Sequence, residues 1–261
     1  GGGGPLTGVT RVEAGDDFSC ARLGNGQVRC WGQNQDSQLG NDSNVGTDLP
    51  VTVLAASGAA LTGVSAIELG GDHVCARLSS GQARCWGNGG SGRLGTGDTN
   101  DQDRAAVVKG VSGPALTGVT QISGGDDHSC ARLSTGRAVC WGDNSGLGDG
   151  TGSGSHRPGP VANAGGDGDL VGVTAIDAND GSTCARLANG QAQCWGDNDN
   201  GQAGNNTTDP SNLPRVVRTS LASTAPLANV VTVLGGENHS CALLSSGQVR
   251  CWGDNFDGQL G

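Results

Sequence analysis

Apolar residues in this chain fall in short runs, and the same order of runs recurs along its length. In the second recurrence, residues 61–67 (LTGVSAI), 74–78 (VCARL) and 82–87 (QARCWG) are separated by turn formers. A fourth run, residues 105–108 (AAVV), follows a loop of Gly, Asn, Asp and Thr. Each run has strand length, carries β-branched or small apolar residues, and is bounded by Gly, Ser, Asn or Asp, so each reads as a β-strand. Ser79-Ser80-Gly81 reads as the tight turn of a hairpin between the second and third. No stretch sustains a helical period.

The hairpin carries the strongest signal. Ten cysteines form five C-x9-C-W-G pairs: Cys20 with Cys30, Cys75 with Cys85, Cys130 with Cys140, Cys184 with Cys194, and Cys241 with Cys251. The five tryptophans, Trp31, Trp86, Trp141, Trp195 and Trp252, each follow the second cysteine. Cys20 and Cys30 are symmetric about Asn25, so a turn at Gly24-Asn25-Gly26 sets them opposite each other at a separation that a disulfide spans. Adjacent residues on a strand point to opposite faces, so each disulfide lies on one face of the sheet and each tryptophan on the other. Both faces then need an apolar neighbour, which stacked repeats provide. The first cysteines, at 20, 75, 130, 184 and 241, are 55, 55, 54 and 57 residues apart. That period is long for a helical solenoid and suits the four-stranded blade of a β-propeller.

Written out, the unit is V-T-x-I-x-x-G-x-x-H-S-C-A-R-L-x-x-G-Q-V-R-C-W-G-x-N-x-x-G-Q-L-G followed by P-V-x-V, clearest over residues 9–40, 121–142 and 233–261. This pattern resembles the repeat of the regulator of chromosome condensation family, β-propellers usually of seven blades, and the resemblance covers essentially the whole chain. It implies an all-β propeller of about five four-stranded blades of 54–57 residues, standing alone or as part of a seven-bladed ring or longer array. The single repeat domain spans residues 1–261, with units near 6–53, 61–108, 116–161, 170–217 and 227–261, the last lacking its fourth strand. Two features depart from the family pattern: the paired cysteines are not general to it, and five units fall short of a usual ring.

Fifty glycines recur at fixed phases and read as turn positions rather than disorder. With aromatic content at 3%, the core rests on Val, Ile, Leu, Ala, the tryptophans and the disulfides. Matched cysteine pairs point to an oxidising compartment, hence a secreted or cell-surface protein. Zinc would need clustered C-x2-4-C ligands, and that spacing is missing. A net charge of −10 with a single lysine, Lys109, is poorly suited to phosphate backbones, so nucleic acid is not expected as a partner. No membrane span or signal segment is visible, and membrane insertion is not expected. The Gly1-Gly2-Gly3-Gly4 start reads as a processed or partial chain. Use of Arg over Lys, with abundant Ala, Gly and Asp, fits a GC-rich bacterial gene.

Several residues recur at one phase. His73, His128 and His239 each lie two residues before a cysteine, with Phe18 and Ser182 at that phase in the other units. A histidine ring is a candidate for metal binding or proton transfer. Its replacement by Phe and Ser favours a structural role, a hydrogen bond to a neighbouring loop. Asp197-Asn198-Asp199-Asn200-Gly201 and the looser Asp254-Asn255-Phe256-Asp257-Gly258 resemble the start of a calcium loop. Asp197, Asp199, Asp254 and Asp257 are therefore candidate ligands, and calcium is the one cofactor this chain admits, although the distal carboxylate is missing. Asn and Asp in such turns also serve backbone geometry. Arg22, Arg77, Arg132 and Arg186 share a phase that Leu243 breaks, and are expected to lay their stems over the disulfides with heads in solvent. The pairs Asp16-Asp17 and Asp126-Asp127 follow a glycine and read as turns. N-x-S/T triplets at Asn41, Asn205, Asn206 and Asn238 matter only in a glycosylating host.

No nucleophile elbow or phosphate loop is present, so catalysis is not expected. The functional expectation is an extracellular or cell-surface scaffold, structural or protein-binding, whose partner is another protein or neighbouring copies of itself joined head to tail into a ring or filament. Two alternatives stand beside it: a secreted propeller inhibitor of an extracellular enzyme, and a propeller lyase or hydrolase. An exchange factor for a small GTPase is disfavoured by the disulfides and the acidic charge.

Overall fold

The computed structural model describes residues 4–261 and folds them into five antiparallel sheets arranged as propeller blades. The first blade contains β1 (Val9–Ala14), β2 (Phe18–Leu23), β3 (Val28–Gly32) and β4 (Thr47–Thr52). The second contains β5 (Val64–Leu69), β6 (His73–Leu78), β7 (Ala83–Gly87) and β8 (Gln102–Val107). The third contains β9 (Val119–Gly124), β10 (His128–Leu133), β11 (Ala138–Gly142) and β12 (Ser155–Pro160). The fourth contains β13 (Val173–Ala178), β14 (Ser182–Leu187), β15 (Ala192–Gly196) and β16 (Ser211–Val216). The fifth has three strands, β17 (Val230–Gly235), β18 (His239–Leu244) and β19 (Val249–Gly253). Strands pair in sequence order, and the first strands of successive blades lie side by side around the centre.

The hairpins form where the glycines allow them. The Leu23 amide donates to the Gln27 carbonyl and the Gly26 amide to the Leu23 carbonyl, with Gly26 at a φ of 77° that side chains rarely adopt. In this register Cys20 faces Cys30, and the other four pairs align identically. All five are disulfide-bonded, with Cα–Cα separations of 4.1–4.2 Å.

Disulfide and tryptophan do lie on opposite faces, and each interface uses one of each. Cys20–Cys30 packs in one cluster with Trp86 of the next blade, Cys75–Cys85 with Trp141, Cys130–Cys140 with Trp195, and Cys184–Cys194 with Trp252. The indole N–H of each of these tryptophans donates to a loop carbonyl of the preceding blade: Trp86 to Gln38, Trp141 to Arg93, Trp195 to Gly146 and Trp252 to Gln202, at 2.8–3.0 Å. A buried aromatic with its one donor satisfied is a stable wedge. The two outer faces meet no blade: Trp31 and the pair Cys241–Cys251 are half-buried.

Each wedge needs a glycine beneath it. Gly95 has φ 67°, and a Cβ there would lie 2.9 Å from the Trp141 ring, with Gly40, Gly148 and Gly204 placed alike under the other wedges. Gly95→Ala is therefore expected to cost about 2 kcal/mol or more, from strained backbone plus overpacking. Denaturant unfolding measures this; a change below about 0.5 kcal/mol would show that the indole yields freely.

Candidate functional site

The first strands end in the loops that precede each second strand, and there the blades converge on a cavity of about 770 Å3 at the axis. The residue two places before the histidine phase lines it in every blade: Asp16, Gly71, Asp126, Asp180 and Glu237. Four carboxyls thus ring the mouth. Burial and neighbouring acids, chiefly Asp127 and Asp180, raise Asp126; burial and then Glu237 raise Asp180. Gly71 opens the ring, and the Asp126 carboxylate reaches over into the space a side chain at Gly71 would fill.

The acid pairs read as turns from sequence divide their work. The second member supplies the turn, since the Asp17 and Asp127 carbonyls accept from the Gln33 and Asp143 amides at 3.0 and 2.9 Å. The first member faces the axis. Fixed spacing signals a shared phase but not which of two neighbours points inward.

Below the mouth, Glu68 on β5 and Asp177 on β13 are largely enclosed. Burial, with Glu13 adding repulsion, pushes the Glu68 carboxyl up to about 7. Burial pushes Asp177 up to about 6, offset in part by the Gly235 amide, which donates to it at 2.7 Å. The histidines move the other way. Burial, followed by the positive charge of Arg93, lowers His73 to about 3, and burial lowers His128 to about 4. The signs set opposite slopes. A depressed histidine adds stability that is present above its ordinary value of 6.5 and is lost as pH falls toward 3–4. A raised carboxyl adds stability that is present below its ordinary value and is lost as pH rises through 6 for Asp177 and 7 for Glu68. Glu68→Gln should therefore stabilise the fold by about 2 kcal/mol at pH 8 and leave it nearly unchanged at pH 4. Thermal midpoints across that range decide it; equal effects at both ends would remove the burial argument.

His73 and His128 reach across blade interfaces rather than into the mouth. His73 Nε2 bonds Ser129 Oγ at 2.8 Å, and Ser129 passes the bond to the Arg93 carbonyl, which also receives Trp141. Since Ser129 donates onward, His73 Nε2 is the donor of the first bond. His128, Thr183 and the Gly146 carbonyl repeat the arrangement beside Trp195. The partner is thus a strand hydroxyl of the next blade. His239, in the fifth blade, is half-buried.

The arginine phase departs from expectation. Arg132 and Arg186 turn their heads into the next blade instead of solvent, each Nε donating to a first-strand carbonyl, Val173 at 2.7 Å and Val230 at 2.6 Å. At these two joints a carbonyl of the next blade holds the guanidinium through a charge-assisted bond. The candidate calcium residues sit in two neighbouring loops, Asp197 and Asp199 after β15, Asp254 and Asp257 after β19. Asp254 accepts from the Phe256 amide and from Gln259 Nε2, bonds that order its own turn. Among the described residues, no three His, Cys, Asp or Glu side chains gather as a metal site, and no helix is long and apolar enough to cross a membrane.

Comparison with known proteins places this geometry. A family model described as "Regulator of chromosome condensation (RCC1) repeat" matches residues 9–38, 64–93, 119–146, 173–202 and 230–259, one stretch per blade. A second model of the same description matches 25–77, 80–132 and 189–243. The chain is 30% identical over 254 residues to the human E3 ubiquitin-protein ligase HERC2, covering 96% of this chain and 5% of the ligase. Yeast RCC1 (Prp20), solved bound to Kap60, superposes with a TM-score of 0.73 at 22% identity, over 95% of this chain and 56% of that one. The CRINKLY WD40 ectodomain of the Arabidopsis thaliana receptor kinase ACR4 gives 0.52 at 18% identity, over 97% and 68%. The chain therefore spans a small fraction of the ligase and little more than half of the yeast protein.

Proposed function

Since this chain belongs to the regulator of chromosome condensation (RCC1) repeat family, a propeller fold on which binding surfaces are built, we propose that it is a protein-binding scaffold without catalysis that works outside the cell or at its surface. The observation that carries the binding reading is the axial mouth: four carboxyls from four blades converge on one cavity in a chain of net charge −10. Such a field favours a partner that presents a basic segment and disfavours nucleic acid. The compartment is supported by the five disulfides, which leave no free cysteine among the described residues. It is supported also by the fold's use in a receptor ectodomain, and protein binding by the Kap60-bound yeast relative.

A second reading, assembly of copies head to tail, is favoured by the two free faces. Trp31 on the first blade and Cys241–Cys251 on the fifth are the two halves of a contact that the chain makes four times internally. Sedimentation at rising concentration distinguishes it, since a concentration-independent monomer excludes self-assembly.

The binding reading is tested with an arginine- and lysine-rich peptide. The oxidised chain should bind it with an affinity that falls as salt rises. The variant Asp16→Asn, Asp126→Asn, Asp180→Asn, Glu237→Gln should bind about tenfold or more weakly. Undiminished binding by that variant would remove the mouth as the site.

A further inference from the structure

The joints between successive blades are not chemically alike, and the two middle ones enclose a group that can take up a proton. At the first joint Phe18 and Val74 lie in the core, and neither side chain titrates. At the second, His73 donates from Nε2 to Ser129 Oγ; at the third, His128 Nε2 donates to Thr183 Oγ1. Both imidazoles are at most 1% exposed. Each hydroxyl donates in turn to the loop carbonyl, Arg93 or Gly146, that also receives the tryptophan of that joint. One chain of bonds thus ties histidine, hydroxyl, carbonyl and indole across the interface.

That chain requires neutral rings. With Nε2 already donating, Nδ1 is a bare lone pair. At His73 it has no hydrogen-bond partner, and Gly70 packs so closely on that edge that a Cβ there would lie 2.5 Å from Nδ1. A proton added at this atom makes a buried N–H with nothing to accept it, on a ring that now carries full charge. The surroundings add to the cost. After burial, the largest effect, come the positive charge of Arg93, from the loop after β7, and then His128 on β10. Arg93 is itself committed to the Asp127 carboxylate and the Asp126 carbonyl. His128 is better served: burial again opposes its charge, but the Asp143 carboxylate and the Asp180 backbone offset part of that.

When such a joint opens, its histidine meets water and accepts a proton at its ordinary value of 6.5. Acid therefore favours the open form. The closed form keeps its full advantage above 6.5 and loses it as pH falls toward about 3 at His73 and about 4 at His128. We propose that the second and third joints are acid-released latches, held shut by neutral histidines and opened by protonation of Nδ1, and that the first and fourth joints have no such release. The two latches run through the axial mouth, between Gly71 and Asp126 and between Asp126 and Asp180, so their opening parts the ring of carboxyls. Where the mouth holds a basic partner, opening releases it in acid. That consequence rests on the binding reading; the latches themselves do not.

Four valine amides, one bonded across each joint, report on the joints separately. Val64 donates to the Gly26 carbonyl at the first, Val119 to Gly81 at the second, Val173 to Gly136 at the third and Val230 to Gly190 at the fourth, at 2.8–3.0 Å. The measurement is hydrogen exchange of the intact oxidised chain without any partner, followed by NMR and expressed as protection relative to the free-peptide rate at each pH. Protection of Val119 should fall about tenfold per pH unit as pH drops from neutrality toward 3, the slope for one proton taken up on opening. Val173 should fall alike and level off near pH 4, while Val64 and Val230 keep their protection. The variant His73→Phe, Ser129→Val gives the second joint the apolar pair that the first joint carries, and should flatten the slope at Val119 while leaving that at Val173. Equal loss at all four joints, no loss at Val119, or an unchanged Val119 slope in the variant would each overturn the proposal.

Discussion

Reduction of the five disulfides should unfold this chain at room temperature. Each disulfide closes a ten-residue separation, for which chain entropy gives about 2.7 kcal/mol, or about 13 kcal/mol for all five if they act independently. That matches the whole stability of an ordinary domain, about 5–15 kcal/mol. Few other terms offset the loss, because the fold has only seven aromatic residues, five Trp and two Phe, and its cores are built of Val, Ile, Leu and Ala. The thiols released would also lie inside the blade interfaces, since eight of the ten cysteines, all but Cys241 and Cys251, are fully enclosed. Far-ultraviolet circular dichroism and tryptophan fluorescence before and after a phosphine reductant provide the measurement. Retention of a cooperative thermal transition with all ten thiols free would show that packing suffices and would weaken the extracellular reading with it.

The second large effect is a contrast between two tryptophans. Trp141→Ala should cost about 3–5 kcal/mol, the range for emptying a buried aromatic site. It removes a wedge at 0% exposure between the second and third blades and one of the two donors on the Arg93 carbonyl. Trp31→Ala should cost about 1 kcal/mol, because Trp31 is half-buried and no blade stands in front of it. The two positions are identical in local sequence, C-W-G on a third strand. Only the neighbour differs. Similar losses at both positions would mean that the first blade's outer face is covered in solution, which supports assembly of copies.

The blade hairpins were legible because their signal is local and symmetric: two cysteines equidistant from a turn fix the register by counting. Fourth strands were harder. Their ends near Val53, Val108, Val161 and Val217 are apolar, but SHRPGP and TDLPVT hide the strand behind proline and charge. Proline is tolerated there because the fourth strand is the edge of its blade. The axial acids were half legible, since the phase was visible but the direction of Asp16 against Asp17 was not. Partners across blades were missed altogether. The hydroxyls that hold His73 and His128 lie 56 and 55 residues downstream. A signal did exist in the residue just before each first cysteine, read against the preceding unit: Ser19, Val74, Ser129, Thr183 and Ser240. The arginine heads failed for a related reason. Solvent is the default home of a guanidinium, and only the next blade reveals a carbonyl within reach of Arg132 and Arg186.

Near-identical repeats face a sorting problem while they fold, because any blade offers its tryptophan to any disulfide. The hydroxyl positions sort the four joints into three kinds. At the first joint Phe18 meets Val74, both buried and both without a polar group. At the second and third, His73 meets Ser129 and His128 meets Thr183. At the fourth, Ser182 turns back to Asn179 and leaves Ser240 to bond the Gln202 carbonyl. If the second blade met the first joint's valine in place of Ser129, a buried imidazole N–H would lose its acceptor, at about 1–3 kcal/mol. If Phe18 met a serine, that hydroxyl would keep its loop carbonyl but face a ring that returns nothing. The polarity of one side chain per joint thus sets the two end joints apart from the two histidine joints, in the way unlike plugs prevent miswiring.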